Sequence, residues 1–272
     1  MAVATKELGV GGSSSLLLMD VPTETDTSST PSIRGLIPRK EAKALLSVQV
    51  LPSDGRRKVI ISESSPKARM HRVVLFDSAA IGSRESAPLR TFNTETMTTV
   101  LKALPTNSAL TDSFAAGSSD GTVSIWDVRQ SRVALKLHRP ASAAAAMINS
   151  LDVRGTLFLA GNVDSGVVLW DMRMAPLGSA PPPEPTGRGI VREFYVPQGV
   201  SKAIFVGDAG DLCWSPAVGG LRLARALTQD TVDASGEKTS SSVFTELAWI
   251  PDANLLVAAT ERDAAVDLFA AN

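Results

Sequence analysis

Two segments of the chain are almost alike: Phe114-Ala-Ala-Gly-Ser-Ser-Asp-Gly-Thr-Val-Ser-Ile-Trp-Asp127 and Leu157-Phe-Leu-Ala-Gly-Asn-Val-Asp-Ser-Gly-Val-Val-Leu-Trp-Asp171. Each has an apolar run with small residues, then a short polar stretch, then a second apolar run that ends at Trp-Asp. Apolar runs of this length, separated by Gly, Asp and Ser, are typical of antiparallel strands joined by a tight turn. Both segments therefore predict a β-hairpin.

The tryptophans of these hairpins belong to an internal repeat. Trp126, Trp170 and Trp214 follow one another at intervals of 44 residues. Each is preceded by an aspartate six positions earlier, and these residues are Asp120, Asp164 and Asp208. A further apolar run lies ahead of each pair, so one unit of about 40 residues holds four strands, which is typical of a propeller blade. We therefore expect an all-β protein.

In this repeat the chain resembles WD40 repeat proteins, most closely over residues 110 to 216. The resemblance implies a WD40-type β-propeller of about six blades, in which Met19, Phe76 and Phe269 take the tryptophan position in more divergent units. The predicted third strands of the blades end near residues 20, 77, 127, 171, 215 and 269. Residues 1–272 are expected to form a single domain, with loop insertions at about 22–43, 78–99, 178–189 and 219–242.

The N-terminal unit poses a question of closure, because Ser15 to Asp20 matches the end of a unit whose opening strands are missing. The propeller is therefore expected to be either incomplete at this end or irregularly closed. A strand from residues 2–10 beside residues 264–270 would indicate irregular closure, whereas two free sheet edges would indicate an incomplete ring.

The resemblance implies structural roles for the repeated residues. The turn aspartate and the strand-end tryptophan are expected to belong to a hydrogen-bonded set within one blade, because a buried indole N–H needs an acceptor. The residues concerned are Asp120, Trp126, Asp127, Asp164, Trp170, Asp171, Asp208 and Trp214. Trp214 departs from the pattern, since Ser215 and Pro216 follow it instead of aspartate.

An arginine follows each of the two complete Trp-Asp pairs, in Trp126-Asp-Val-Arg129 and Trp170-Asp-Met-Arg173. These segments resemble the Trp-Asp-x-Arg boxes by which some WD40 substrate receptors dock onto the adaptor of cullin-RING ubiquitin ligases. Arg129 and Arg173 are therefore candidate partner-binding residues. The alternative is that each arginine is an ordinary solvated residue, bonded within its own blade.

Composition argues against several other classes of protein. The net charge of −1 gives no reason to expect a nucleic-acid partner. The apolar run Leu16 to Met19 is too short for a membrane span or a signal peptide. Cys213 is the only cysteine, so no internal disulfide can form. We expect an intracellular protein, cytoplasmic or nuclear or both, with other proteins as partners and no membrane association.

Catalytic and metal-binding motifs are missing from the sequence. It holds two histidines, His71 and His138, and no Cys-x-x-Cys, His-Glu-x-x-His or phosphate-binding loop. Gly9 to Gly12 is glycine-rich but precedes an apparent strand, so it does not predict a dinucleotide site. No cofactor is expected. The protein is therefore interpreted as a non-catalytic interaction scaffold, with a ligase substrate receptor as the first alternative and a propeller enzyme as the less favoured one.

Overall fold

The structure is a computed structural model, and its described elements are all β-strands. It describes residues 2–6, 14–20, 32–39, 44–51, 57–65, 69–81, 87–104, 112–137, 146–164, 166–171, 190–195, 200, 202–206, 211–215, 222–224, 231–233, 244–250, 253–260 and 266–270. The strands form six antiparallel sheets, numbered here in chain order. This architecture confirms the predicted all-β fold class and is consistent with a WD40-type β-propeller, while the number of blades stays a prediction.

The chain divides into two compact units, and the first comprises residues 1–118 and 124–135. Its sheets run as meanders in chain order. The first sheet contains β1 (Ala2–Lys6), β2 (Ser14–Asp20) and β3 (Ser32–Arg39). The second contains β4 (Ala44–Leu51), β5 (Lys58–Ser65), β6 (Met70–Asp77) and β7 (Arg90–Thr94). The third contains β8 (Thr98–Ala103), β9 (Ser113–Ser118), β10 (Val123–Asp127) and β11 (Val133–Leu137).

The second unit comprises residues 119–123 and 136–272 and holds the other three sheets. The fourth sheet contains β12 (Ile148–Arg154), β13 (Leu157–Asn162), β14 (Gly166–Asp171) and β15 (Ile190–Tyr195). The fifth contains β16 (Lys202–Val206), β17 (Asp211–Ser215), β18 (Arg222–Ala224) and β19 (Thr231–Asp233). The sixth contains β20 (Phe244–Ile250), β21 (Leu255–Thr260) and β22 (Val266–Ala270). That residues 1–272 form a single domain stays a prediction.

Within each unit, the first strands of successive sheets lie side by side. In the first unit β4 lies between β1 and β8, and in the second unit β16 lies between β12 and β20. Polar side chains join these strands: Ser47 Oγ accepts the N–H of Leu101 at 3.0 Å, and Asp152 Oδ2 accepts the N–H of Phe205 at 2.9 Å. The open edges of the first strands thus gain partners for backbone groups that would otherwise lack them.

A β-bulge recurs near the start of the first strand in four sheets. The register shifts by one residue at Leu46, Thr99, Asn149 and Thr245, each of which lies between two paired residues. After the bulge, Ser47 pairs with Ser62, Ser150 with Gly161 and Glu246 with Ala259. Because the bulge occupies the same place each time, it provides a common origin for comparing positions between sheets.

Apolar side chains fill both faces of the sheets that lie inside each unit. On one face of the second sheet, Ile60 and Leu75 pack in a cluster with Phe114 and Trp126 of the third sheet. On the opposite face, Val59, Ile61, Val74, Phe76 and Ile81 form a second cluster. The near-continuous burial of β5 follows from this arrangement, because adjacent residues of a strand point to opposite faces.

The predicted third strands are confirmed at four of the six places. Strands β6, β10, β14 and β22 are third in their sheets and end at or next to residues 77, 127, 171 and 269. The prediction is wrong near residues 20 and 215, because β2 and β17 are second strands. Trp214 therefore does not repeat the position of Trp126 and Trp170, since a hairpin of first and second strands has the same sequence pattern as one of second and third.

The expectation that the N-terminal unit lacks an opening strand is also wrong. Strand β1 precedes β2 and pairs with it, Ala2 lying opposite Leu18 and Lys6 opposite Ser14. Strand β22 pairs with β21 in a different sheet. The pattern was missed because β1 is only five residues long and is separated from β2 by a glycine-rich stretch.

Three of the predicted loop insertions contain strands. Strand β3 lies within 22–43, β7 and the start of β8 lie within 78–99, and β18 and β19 lie within 219–242. Strand β7 shows the reason: it has one buried residue, Phe92, among polar and largely accessible neighbours. An outer strand needs little apolar sequence, so its composition is that of a loop. The predicted insertion at 178–189 lies outside the described residues.

Gly161 gives a test of the packing between β12 and β16. A Cβ atom at this position would lie 2.5 Å from Ser150 Oγ and 2.7 Å from Val200 Cγ1. We expect Gly161→Ala to lower the free energy of unfolding by about 1–3 kcal/mol in chemical denaturation, because overpacking forces neighbours apart. The control is Gly155→Asn, at a φ of 57° that asparagine tolerates and with no atom within 4 Å of the new Cβ. Equal losses in the two variants would contradict the close packing.

Candidate interaction site at the turn after Trp126 and Asp127

The segment that carries Arg129 is a tight turn after β10, called here the exit turn and comprising residues 127–130. The N–H of Arg129 donates to Asp127 Oδ1 at 2.8 Å, and the N–H of Gln130 donates to the Asp127 carbonyl at 3.0 Å. Aspartate favours such turns because its carboxylate accepts a backbone hydrogen bond two residues further on. Asp127 therefore fixes the backbone that presents Arg129.

The same turn follows β6 in the second sheet. Ala79 donates its N–H to Asp77 Oδ1 at 2.9 Å, and Ala80 donates to the Asp77 carbonyl at 3.1 Å. In both turns, the residue after the aspartate donates to a carbonyl just before the second strand: Ser78 to Arg57 at 3.0 Å and Val128 to Asp112 at 2.9 Å. Ala79 and Arg129 hold equivalent exposed positions, so the backbone of this turn does not require a particular side chain there.

Arg129 folds back onto the aspartate that begins its own turn. Its Nε donates to Asp127 Oδ1 at 2.9 Å and lies 3.2 Å from Oδ2, and its Nη2 donates to Oδ2 at 2.7 Å. The side chain of Asp127 is 5% exposed, whereas that of Arg129 is 66% exposed. The carboxylate thus engages one edge of the guanidinium, and the outer edge formed by Nη1 and Nη2 remains available to a partner.

The ion pair changes the protonation of both groups. Hydrogen bonding from the Arg129 side chain lowers the pKa of Asp127 below 3.8, against the opposing effect of desolvation. In return, the hydrogen bond and negative charge of Asp127 raise the pKa of Arg129, with a smaller contribution from the charge of Asp112. Both groups are therefore ionised at neutral pH, and the pair presents donors to solvent while carrying no net charge.

A second ion pair joins the neighbourhood of this turn to the second sheet. Lys58 Nζ lies 3.1 Å from Asp112 Oδ1, and both side chains are partly exposed. Lys58 begins β5, and Asp112 precedes β9 with a φ of 59°. The sequence did not indicate these residues as part of the site. The only signal in the sequence was their position, since Lys58 begins a second strand and Asp112 directly precedes one. The turn after the third strand forms its backbone hydrogen bond at this place.

Trp126 anchors the strand that leads into the exit turn. Its ring lies 5.5 Å from that of Phe92, edge to face, and is stacked at 6.3 Å on Phe114. Among the described residues its buried Nε1 has no hydrogen-bond acceptor. Asp120 instead accepts the N–H of Thr122 at 3.0 Å and its hydroxyl at 2.7 Å. The described residues thus give Asp120 a role in closing the β9–β10 hairpin, without a bond to the indole.

The hairpin of the fourth sheet uses a different residue for its turn. Asn162 Oδ1 accepts the N–H of Asp164 at 3.1 Å and that of Gly166 at 2.9 Å. Asp164 is exposed, whereas Trp170 and Asp171 are buried. Sequence reasoning assigned the turn to Asp164 and missed Asn162, although asparagine at the end of an apolar run is itself a turn signal. Arg173 and Asp208 lie outside the described residues.

Two other chemically notable groups among the described residues are Cys213 and His71. Cys213 is buried and free, and burial raises the pKa of its thiol, so it has the character of a core residue. His71 Nδ1 lies 3.0 Å from Ser64 Oγ. Within the described ranges, no three His, Cys, Asp or Glu residues are grouped so that they could hold a metal. The same ranges contain no helix of the length and apolarity that crossing a membrane requires.

Comparison with known proteins places a family match on this part of the chain. Residues 88–127 match the family model described as WD domain, G-beta repeat. The match includes β7 of the second sheet and β8, β9 and β10 of the third, and it ends at Asp127. No curated protein matches the chain. The family match at residues 88–127 supports a WD40 repeat protein. WD40 repeats generally mediate protein–protein interactions.

The ion pair within the exit turn makes stability depend on pH. Because the folded-state pKa of Asp127 is depressed, the ionised carboxylate stabilises the fold above its usual pKa, and this contribution is lost as the pH falls through the folded-state value. Asp127→Asn can keep the turn but loses the charge. We expect it to lower the free energy of unfolding at pH 7 by about 0.5–1 kcal/mol, since Arg129 is largely solvated, and by less as the pH falls below 4.

Urea denaturation at a series of pH values measures this difference. Asp77→Asn is the matched control, because alanine stands at the position equivalent to Arg129 in its turn. That variant removes a turn carboxylate that has no arginine at the facing position, so the difference between the two variants isolates the effect of the ion pair. A loss in Asp127→Asn that is equally large at pH 3 and pH 7 would show that the ion pair is not its cause.

Proposed function

We propose that the protein is a non-catalytic interaction scaffold whose rim side chains bind other proteins. The WD40 match at residues 88–127 supports this class of function. The observation that carries the proposal is the state of Arg129, which is held by three side-chain contacts to a buried carboxylate and is still 66% exposed. A side chain whose orientation is already fixed loses less conformational entropy when a partner binds.

The chemistry of the free edge defines what such a partner must offer. The Nη1 and Nη2 groups lie in one plane and can donate two parallel hydrogen bonds, which suits a carboxylate or two adjacent carbonyl oxygens. Asp127 neutralises the charge of Arg129, so long-range attraction contributes little and recognition depends on short-range geometry. The proposed contact is therefore selective for shape and hydrogen-bonding pattern.

A second, more specific function is that of a substrate receptor for a cullin-RING ubiquitin ligase. The segments Trp126–Arg129 and Trp170–Arg173 resemble Trp-Asp-x-Arg boxes. This resemblance suggests docking on the ligase adaptor. The outer edge of Arg129 is exposed, as such docking requires, but an ordinary solvated arginine bonded within its own blade would have the same exposure and the same bonds to Asp127. The proposal includes a site of action inside the cell, cytoplasmic or nuclear, where such ligases work.

Affinity capture with tagged full-length protein tests the role of the arginines. We expect Arg129→Ala together with Arg173→Ala to reduce recovery of the ligase adaptor about tenfold or more, because a charge-assisted contact that is desolvated on binding would be lost. Arg129→Lys alone should also reduce recovery, because an ammonium group cannot donate two parallel bonds from a planar edge. Folding should survive, since alanine occupies the equivalent position at Ala79.

Arg132→Ala is the control, because Arg132 is exposed and lies three residues beyond Arg129. It should leave recovery unchanged. Normal recovery of the adaptor by the double variant would remove the arginines from the contact. Failure of the unaltered protein to recover the adaptor, while it captures other proteins through Arg129, would contradict the ligase role and leave the scaffold role in place.

A further inference from the structure

The ion pair of Lys58 and Asp112 lies beside the exit turn that carries Arg129, and all of these residues belong to the first unit. The Asp112 carbonyl accepts the N–H of Val128 at 2.9 Å, while Asp112 Oδ1 lies 3.1 Å from Lys58 Nζ. The bond to Asp127 is the main reason why the pKa of Arg129 is raised, and the charge of Asp112 adds to that effect. Asp112 is therefore close to two cationic side chains, one at the start of β5 and one after β10.

Cationic side chains are prominent on the surface around this ion pair. Arg57 is exposed, Arg129 is 66% exposed and Lys58 is 24% exposed. We call these three residues the basic rim. The aspartates that begin the two exit turns accept N–H groups of their own turns, and the carboxylate of Asp112 accepts a hydrogen bond from Lys58. These carboxylates are thus engaged within the protein, whereas the basic rim keeps donors for a partner, including the outer edge of Arg129.

The donors of the basic rim fit an acidic segment of a protein. The planar edge of Arg129 suits one carboxylate, and the ammonium group of Lys58 can bind a second one as a point charge. Because the two side chains come from the second and the third sheet, a single segment with several carboxylates can meet both sheets. Nucleic acid fits less well, since affinity for a phosphate backbone needs more cations than the basic rim offers.

We propose that the basic rim binds an acidic segment of a partner protein and that Asp112 limits the affinity of this contact. Asp112 competes for Lys58 and repels an incoming carboxylate. A segment with one acidic residue therefore gains little, whereas a segment with several contacts both cations. The inference rests on the function proposed for Arg129. It adds the chemical class of the partner, a second anchor at Lys58 and a residue that sets selectivity.

Fluorescence anisotropy of labelled peptides with the purified full-length chain tests the proposal. The probe is a fluorescein-labelled peptide of four Glu-Ser repeats, and the matched probe carries glutamine in place of glutamate. We expect the glutamate probe to bind more tightly. Lys58→Gln and Arg129→Ala should each weaken its binding about threefold, which is typical of an exposed ion pair. Neither change should affect the glutamine probe.

Asp112→Asn separates an electrostatic role of Asp112 from a structural one. The variant removes the charge but keeps the carbonyl that accepts the N–H of Val128, and asparagine tolerates the φ of 59° at this position. It should strengthen binding of the glutamate probe about threefold, because Lys58 is released and the repulsion is lost. A residue that only held the turn in place would give weaker or unchanged binding.

Lys202→Gln is the matched control for the change at Lys58. Lys202 also pairs with a carboxylate, that of Glu246 at 2.9 Å, and its side chain is 22% exposed, but it lies in the second unit. This variant should bind the glutamate probe like the unaltered chain. Thermal denaturation identifies any variant that has failed to fold, and Arg57→Gln then replaces it as the change to the basic rim.

Equal binding of the two probes, equal effects of Lys58→Gln and Lys202→Gln, or no gain in Asp112→Asn would each overturn the proposal. Tighter binding of labelled oligothymidylate than of the glutamate probe would also overturn it, in favour of a nucleic acid. If Arg129→Ala leaves partner capture unchanged while Lys58→Gln still weakens binding of the glutamate probe, the function proposed for Arg129 fails and the acidic ligand stands.

Discussion

The constraint on which this structure depends is that a sheet with two apolar faces must be covered on both. Strands β5, β13 and β14 are buried along nearly their whole length, so none of them could be stable in an isolated sheet. Neighbouring sheets supply the cover, and side chains on the first strands, such as Ser47 and Asp152, satisfy backbone donors of the next first strand. Side-chain packing and backbone hydrogen bonding thus both depend on sheets that lie next to one another. This explains why each unit is built from repeated sheets.

The sequence predicted the hairpins well and their places in the sheets less well. Trp126-Asp127 and Trp170-Asp171 end third strands as expected. Trp214 instead lies near the end of a second strand. The sequence does not distinguish the two positions, because the pattern of apolar run, turn and apolar run describes any antiparallel pair. Strand β7 has the composition of a loop, since Phe92 is its one buried residue. Local patterns thus predict strand pairs, whereas position within a sheet depends on contacts that are distant in sequence.

In the candidate site, too, the local feature could be predicted from the sequence and the long-range contact could not. Arg129 was predicted from a local motif, and the structure gives it an aspartate partner within the same turn. Lys58 and Asp112 could not be predicted, because their ion pair joins residues that are 54 positions apart. In the exit turns, Asp77 and Asp127 fix the backbone, while alanine or arginine occupies the exposed position two residues later. This separation lets a chain vary its binding surface without altering the fold.

The boundaries of the WD40 match do not coincide with those of a sheet. Residues 88–127 supply the outer strand of the second sheet and three strands of the third. The matched unit therefore links the second sheet to the third through the covalent chain. A unit inserted or deleted at the sequence boundaries would leave complete four-stranded sheets, each assembled from two different units. Such an overlap allows the number of sheets to change by duplication without creating an unpaired edge at the junction.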